Sequence, residues 1–391
     1  MNEILINISE LKGILSRLNL AVDNTKLNPR SGWLELETVS ESTMTVKISS
    51  FGYYLEANVT ISADSYSEEN KLHATVSADG FISLISKLED DYVKMTITDT
   101  TLDLSTKTSG YTFPLIKELG QICEVEKIDF NYTRCDRYNL TVDDVVSIAE
   151  TNAKGLADAQ FAKEIQKFIY VDNQGALTFT DNIYVNKFKK SVEVKDDSPE
   201  FKFLLSANQA KLLDVFAKYR DVELVVERDV DYSRSFKVSL TTVPDKEISL
   251  ILIVQSAEFT DRFPAIKIRN LAENRLETHA IIDKKTLDKA LARLMIFDRK
   301  WDITVMNYSK LVFEEDHVKL VSTKNKNFEV VPYKSFTNTI KHESIVRFID
   351  LEKQLKAVTD TTLDISYGET QAIVINSGNL CQIIPEIVER V

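Results

Sequence analysis

A strand leading into an amphipathic helix recurs along this 391-residue chain at intervals of about 130 residues, and internal repetition constrains the fold more than any single motif does. His73-Ala74-Thr75-Val76-Ser77-Ala78 opens a stretch with Phe81, Leu84, Ile85 and Leu88 at helical spacing, and Ser77 stands where an N-cap would. Phe203-Leu204-Leu205-Ser206-Ala207 does the same further on, with Leu212, Val215, Phe216 and Tyr219 as its stripe. A third version, without the serine-alanine pair, runs from Phe348 through Leu351, Leu355 and Val358. Each is preceded, by roughly 65–70 residues, by a helix of the same kind. The earlier stripes are Leu11, Ile14, Leu15 and Leu18; Val142, Val145, Val146 and Ala149; and Leu287, Leu291, Leu294 and Met295. Stretches rich in Val, Ile, Thr, Phe and Tyr, such as Thr43 to Ile48, Val93 to Ile97, Phe236 to Leu240 and Ala372 to Ile375, read as strands. The pattern predicts an α+β fold of three tandem similar domains, 1–122, 123–262 and 263–391, each with two helices packed on mostly antiparallel sheets. The plain alternative is a chance coincidence of spacing among ordinary amphipathic helices.

Composition removes several function classes. Ten glycines in 391 residues fall well below the ~7% usual in soluble proteins, so few loops can wrap closely around a phosphate. No two have the spacing of a phosphate-binding loop, a dinucleotide fingerprint or a nucleophile elbow. His73, His279, His317 and His342 lie far apart, and no metal-binding pair is formed with Glu343. Cys123, Cys135 and Cys381 form no close pair and are odd in number, which points to a reducing cytoplasmic setting and to no metal or disulfide framework. The amino terminus does not read as a secretion signal. The strongest apolar run, Ile248 to Val254, is too short to cross a bilayer and reads as a buried strand, so no membrane association is expected.

The chain carries 60 acidic against 48 basic side chains, a formal charge of −12, yet basic residues gather on helices. Lys285, Lys289 and Arg293 follow one another at intervals of four, opposite their helix's apolar stripe. Lys353 and Lys356 lie opposite the stripe of the last helix, and Lys211 and Lys218 on the middle domain's second helix. The first helix offers chiefly Lys12 and Arg17, whereas the helix from Val142 exposes Asp143, Asp144 and Glu150. An acidic body with local basic ridges can hold a polyanion at those ridges only. No aromatics are interleaved for base stacking, so contacts with duplex DNA would be to phosphates and blind to sequence. The plain alternative is that lysine is simply a good solvent-facing helix residue.

Three two-helix domains in series, an acidic body and basic helix faces resemble the bacterial β sliding clamp, the processivity subunit of the replicative DNA polymerase. The most specific match is Asp261-Arg262-Phe263-Pro264, similar to the family's Gly-Arg-Phe-Pro segment at the join of the second and third domains. Ala290-Leu291-Ala292-Arg293, running into Met295-Ile296-Phe297, resembles the family's alanine-rich helix ending in an apolar pair. Ile383-Ile384-Pro385 resembles its terminal apolar-apolar-proline segment, so the resemblance covers essentially the whole chain.

The resemblance implies a head-to-tail homodimer closed into a ring, with helices lining a hole that encircles duplex DNA and tethers the polymerase. It implies a clamp loader as a further partner, no cofactor and no bond made or broken. Partner proteins would insert a short apolar motif between the second and third domains, into a groove of Thr180, Ile183, Val185, Pro264, Ile268, Ile383, Ile384 and Pro385. Tyr111 falls at the family's aromatic interface position, opposite Ile296 and Phe297 of the partner subunit. Where the family commonly has Asp-Gly-His-Arg this chain reads Asp181-Asn182-Ile183-Tyr184, and Glu389, Arg390 and Val391 run past the usual end. The groove should therefore favour a more apolar peptide, and divergence with low glycine suits a clamp carried by a phage or another mobile element. Each position also has a plain role, as linker, sheet or strand residue. Two other functions compete: an interaction scaffold that keeps the fold without encircling DNA, and a nucleic-acid enzyme using paired acids such as Asp90-Asp91, Asp143-Asp144 or Glu314-Glu315.

Overall fold

The computed structural model describes residues 3–385 apart from 23–28, 51, 64–66, 68–70, 129–132, 149–162, 180–182, 189–191, 196–199, 229–235, 274–277, 299–308, 323–325, 339 and 369–371. One order, a strand, a helix and three strands, recurs six times among the described residues. The first copy is Glu3–Asn7, helix α1 (Ile8–Leu18), Trp33–Ser40, Thr43–Ser50 and Tyr53–Ala63. The second is His73–Ser77, α2 (Ala78–Lys87), Tyr92–Ile97, Thr101–Ser105 and Gly110–Pro114. The third is Arg134–Thr141, α3 (Val142–Ser147), Phe168–Asp172, Gly175–Phe179 and Ile183–Lys187, with a short strand Glu193–Lys195 after it in the sequence. The fourth is Lys202–Ser206, α4 (Ala207–Leu212), Asp221–Arg228, Phe236–Val243 and Ile248–Val254. Two further helices, α5 (Ala257–Thr260) and α6 (Ala265–Glu273), precede the fifth copy. That copy is His279–Asp283, α7 (Lys284–Asp298), Ser309–Phe313, His317–Ser322 and Phe328–Thr337. The sixth is His342–Val346, α8 (Phe348–Ala357), Thr362–Ser366, Ala372–Ser377 and Leu380–Pro385.

In each copy the first strand leads directly into the helix; a short polar residue stands at the corner in five of the six, and Arg347 in the last. Asn7 accepts from the Glu10 amide at 3.1 Å, and Asp283 from the Thr286 amide at 2.8 Å. Ser206 and Gln209 form a reciprocal capping box at 3.3 and 3.0 Å. Ser77 occupies the cap position of α2 in extended conformation, but its hydroxyl makes no capping bond. Asp144 is buried, not exposed as the sequence suggests, because the Thr141 hydroxyl donates to its carboxylate across the first turn of α3. Ala149 and Glu150 lie outside the described residues. The stripe through Val215 and Phe216 is buried, although the helix tightens to a 3-10 turn at Leu213–Phe216.

The chain divides into two compact units, Met1–Val146 with Val192–Phe203 and Lys211–Glu258, and Ser147–Ser191 with Leu204–Ala210 and Phe259–Val391. A continuous antiparallel sheet runs through the first. Ile248–Val254 pairs with Phe236–Val243 on one side and with Tyr53 to Ala57 of the first copy on the other, from Ile248 opposite Ala57 to Leu252 opposite Tyr53. The second unit is joined in the same manner, Leu380–Pro385 pairing with Ile183–Lys187 so that Ile383 faces Ile183 and Cys381 faces Val185. In both cases the last strand of an even-numbered copy is laid on the last strand of an odd-numbered one. In the first copy the far part of the receiving strand returns to its own copy, Ile61 to Ala63 pairing with Glu3–Asn7; in the third, a separate strand, Glu193–Lys195, pairs with Arg134–Thr141.

The segment leaving the second copy is pinned by buried charge. The Val125 amide donates to Glu35 at 2.6 Å, while Val125 and Ile128 pack with Tyr54, Ile251 and Trp33. Lys47 bridges Glu35 at 2.9 Å and Glu37 at 2.5 Å, Lys71 reaches Glu37 at 2.8 Å, and His73 Nε2 stands 3.3 Å from Glu35. Burial alone would raise both carboxyl pKa values. Hydrogen bonds outweigh it, from His73, Val125 and Lys47 for Glu35, and from Lys47 and Lys71 for Glu37, which is held at about 2. Carboxylates held below their unfolded value of about 4.3 stabilise the fold above that pH and lose the contribution as pH falls towards 2. Circular dichroism between pH 5 and pH 2 should therefore show an acid transition that Glu35→Gln with Glu37→Gln makes much shallower.

Candidate functional site

The strand pair at Ile183 and Ile383 forms one wall of an apolar cluster, and α6 lies across it. Pro264 stands just before α6; it has no amide hydrogen to leave unpaired, and its carbonyl accepts from the Ile268 amide at 3.1 Å. Phe263, the residue before, stacks on Tyr170 at 4.9 Å and meets Phe179 edge-on at 4.9 Å. Val185, Ile268 and Ile383 are buried in this cluster, and Ile183, Phe179 and Pro264 are half-buried. Pro385 is exposed at the end of its strand. Ile384 belongs elsewhere: strand alternation turns it, with Tyr184, to the opposite face and into the core around α7 and α8. Thr180 lies outside the described residues. Six of the eight residues named from the sequence thus lie at or beside one cluster, three of them as its buried floor.

The sequence reading missed α6 itself and the charges beneath it. Ala265, Ile268 and Ala272 at helical spacing directly after a proline were the available signal. Arg269 on α6 grips Asp172 with two parallel bonds, Nη1 to Oδ2 at 2.7 Å and Nη2 to Oδ1 at 2.6 Å. Burial, with Asp172 beside it, pushes the Tyr170 phenol up to about 12. Burial likewise raises the Cys381 thiol to about 11, so it packs as a neutral apolar group.

The basic residues fall into two groups. In the first unit, Lys12 donates to the Leu88 carbonyl that ends α2, and Arg17 lies 4.8 Å over the Tyr219 ring while donating to its hydroxyl. Burial outweighs the nearby Arg17 charge and, helped by Glu247, raises that phenol to about 12. Lys211 and Lys218 are exposed, with no carboxylate partner among the described residues. In the second unit Lys285 and Lys289 are likewise exposed and unpaired, but Arg293 at the end of their ridge turns to Glu329 with two bonds of 2.7 Å. Lys353 is exposed, and Lys356 stands 3.5 Å from Glu352. The ridge on α7 is thereby two lysines long.

Each unit also carries a strand edge with no partner among the described residues. Gly110–Pro114 pairs only with Thr101–Ser105, and Tyr111 on it is 37% exposed. Phe328 to Pro332 pair with His317–Ser322 on one side, and the same strand turns to His279–Asp283 only from Tyr333 onward. Beside that second edge lie Phe328, 56% exposed, Ile296 on α7, 58% exposed, and a cavity of about 350 Å³ lined by Arg293, Leu294, Phe328 and Glu329. Phe297 lies in the last turn of the same helix, and its side chain is outside the described residues.

No protein-family model matches the chain, and no curated relative does. Its structure is similar to solved ones over its whole length. The β subunit of Streptococcus pyogenes DNA polymerase matches at TM-score 0.76 and 17% identity, covering 98% of this chain and 99% of that one. The Bacillus subtilis DNA polymerase sliding clamp matches at 0.75 and 11%, covering 100% of each. The Helicobacter pylori β clamp bound to a DNA ligase peptide matches at 0.71 and 12%, covering 99% and 100%. At these identities the likeness shows the fold, which is that of the DNA sliding clamp. Among the described residues no helix is long and apolar enough to cross a membrane.

Phe263 is 5% exposed between two aromatic rings, so Phe263→Ala should cost about 3–5 kcal/mol of stability. Denaturant unfolding should register that loss, whereas Ile266→Ala, at an exposed position of the same helix, should change it by less than about 0.5 kcal/mol.

Proposed function

We propose that this chain is a DNA sliding clamp. Two copies, each of three domains at 1–122, 123–262 and 263–391, join head to tail into a ring around duplex DNA, and the ring tethers a DNA polymerase and other partners. No bond is made or broken. The observation that carries the reading is the pair of vacant strand edges on a clamp fold. Twice the last strand of an even-numbered copy is received by an odd-numbered one, and the second copy's strand Gly110–Pro114 and the fifth copy's Phe328 to Pro332 are a donor and a receiver left over. Supplied by two chains, they complete the same join twice, and a heterologous contact that closes after two steps gives a finite ring. Tyr111 of each chain would enter beside Ile296 and Phe297 of the other. Light scattering at micromolar concentration should give twice the chain mass, and Ile296→Ala with Phe297→Ala should give the monomer. A monomer for the unaltered protein contradicts the ring.

The cluster under α6 is the proposed partner groove, receiving short apolar peptides from the polymerase, the clamp loader and other proteins. The similar H. pylori clamp is bound to a DNA ligase peptide. Burying two or three apolar side chains at ~25 cal/mol per Å², less the cost of ordering the peptide, corresponds to micromolar affinity, suited to exchange among partners. Tyr184 faces the core rather than this cluster, so the altered Asp181 to Tyr184 segment contributes Ile183 alone to the apolar character of the rim.

DNA would be held by topology and touched through phosphates at Lys285, Lys289, Lys353, Lys356, Lys211 and Lys218. The internal ties of Lys12 and Arg17 favour a second reading, a scaffold of the same fold that does not encircle DNA. Binding to short linear duplex should be weak and steeply salt-dependent. Lys285→Ala with Lys289→Ala should flatten the log–log salt slope by roughly 2, whereas Arg293→Ala, already paired with Glu329, should change it by less than about 1. Equal slopes for all three proteins would favour the scaffold.

A further inference from the structure

Beneath an otherwise apolar cluster, Asp172 and Arg269 form a bidentate ion pair with side chains 8% and 17% exposed. Asp172 sits where the strand Phe168–Asp172 turns towards Gly175, and its Oδ1 also accepts the Gln174 amide at 2.9 Å, so the carboxylate is fixed to the hairpin. Arg269 follows Ile268 on α6, the helix whose Phe263 end packs between Tyr170 and Phe179. Apolar contacts are non-directional and let a short helix slide or roll; two parallel charge-assisted bonds from a planar fork do not. Desolvation makes such a pair a poor source of net stability compared with a packed apolar pair of similar volume, so its presence here calls for a directional role.

We propose that the Asp172–Arg269 pair is the positioning element of the partner groove, fixing α6 so that Pro264 and the half-buried Phe179 and Ile183 stand ready for an apolar peptide. The inference rests on the groove reading above. Neither residue touches the peptide; both act through the helix. A groove set in this manner binds without first ordering its own wall, which lowers the cost of association.

The test uses the full chain, a fluorescein-labelled H. pylori DNA ligase peptide and a panel of synthetic pentapeptides with leucine, isoleucine or phenylalanine anchors, with affinity and melting temperature read on each variant. Asp172→Asn and Arg269→Met should each weaken binding at least tenfold and lower the melting temperature. Asp172→Leu combined with Arg269→Met removes both charges; it should recover the melting temperature yet remain at least tenfold weaker for peptide. Arg269→Lys, which keeps the charge and loses the fork, should bind at least threefold more weakly. Wild-type affinity in the double variant or in Arg269→Lys would overturn the positioning role while leaving the groove in place. Failure of every peptide to bind the unaltered protein would overturn the groove reading, and this inference with it.

Discussion

A strand at a sheet edge carries backbone amides and carbonyls that need partners, and this architecture depends on how that need is met. Within the first unit, Ile248–Val254 completes the sheet begun by Tyr53–Ala63. Within the second, Leu380–Pro385 completes the one begun by Ile183–Lys187. Apolar pairs face each other within each join, Leu250 opposite Leu55 and Ile383 opposite Ile183, so hydrogen bonding and burial select one register together. The same need left open at Gly110–Pro114 and at Phe328 to Pro332 is what a second copy would answer. Exposed Tyr111, Phe328 and Ile296 beside open edges would otherwise be an aggregation hazard.

The join at Ile383 also places the proposed groove. Because side chains alternate along a strand, Ile383 enters the cluster under α6 while Gln382 turns the other way, its Nε2 donating to the Gln354 carbonyl of α8 at 2.8 Å. One strand therefore serves two cores, and its terminal Pro385 is left at the surface. The proposed recognition and the sheet completion share the same six residues. Substitutions there reach both, which is why the positioning pair on the neighbouring hairpin and helix is the cleaner place to separate them.

Much of this was legible in the sequence because it is carried by local patterns. The stripes Leu11 to Leu18, Leu287 to Met295 and Phe348 to Leu355 are periodic and buried as periodicity demands. The Arg262-Phe263-Pro264 turn and the Ile383 segment come together although about 120 residues separate them, and what linked them was resemblance to a family rather than any physical signal in the chain. Illegible were features decided by long-range neighbours. Arg293 reads as one step of a basic ridge until Glu329 claims it, and Arg17 until Tyr219 does. Nothing local marks Asp172 as the partner of Arg269, 97 residues away. Charge patterning along a helix gives position, not occupancy.

The central claim is that this protein holds DNA by surrounding it, with weak phosphate contacts at lysines such as Lys285 and Lys289 and no strong binding site. The most direct measurement is retention on DNA of changed topology: protein loaded on a nicked circular plasmid is washed in high salt, half the sample is linearised, and bound protein is counted in both. Encirclement predicts retention on the circle and loss from the linear form, since screening removes the phosphate contacts but not the linkage. Equal retention on the two forms, or equal loss from both, would contradict it.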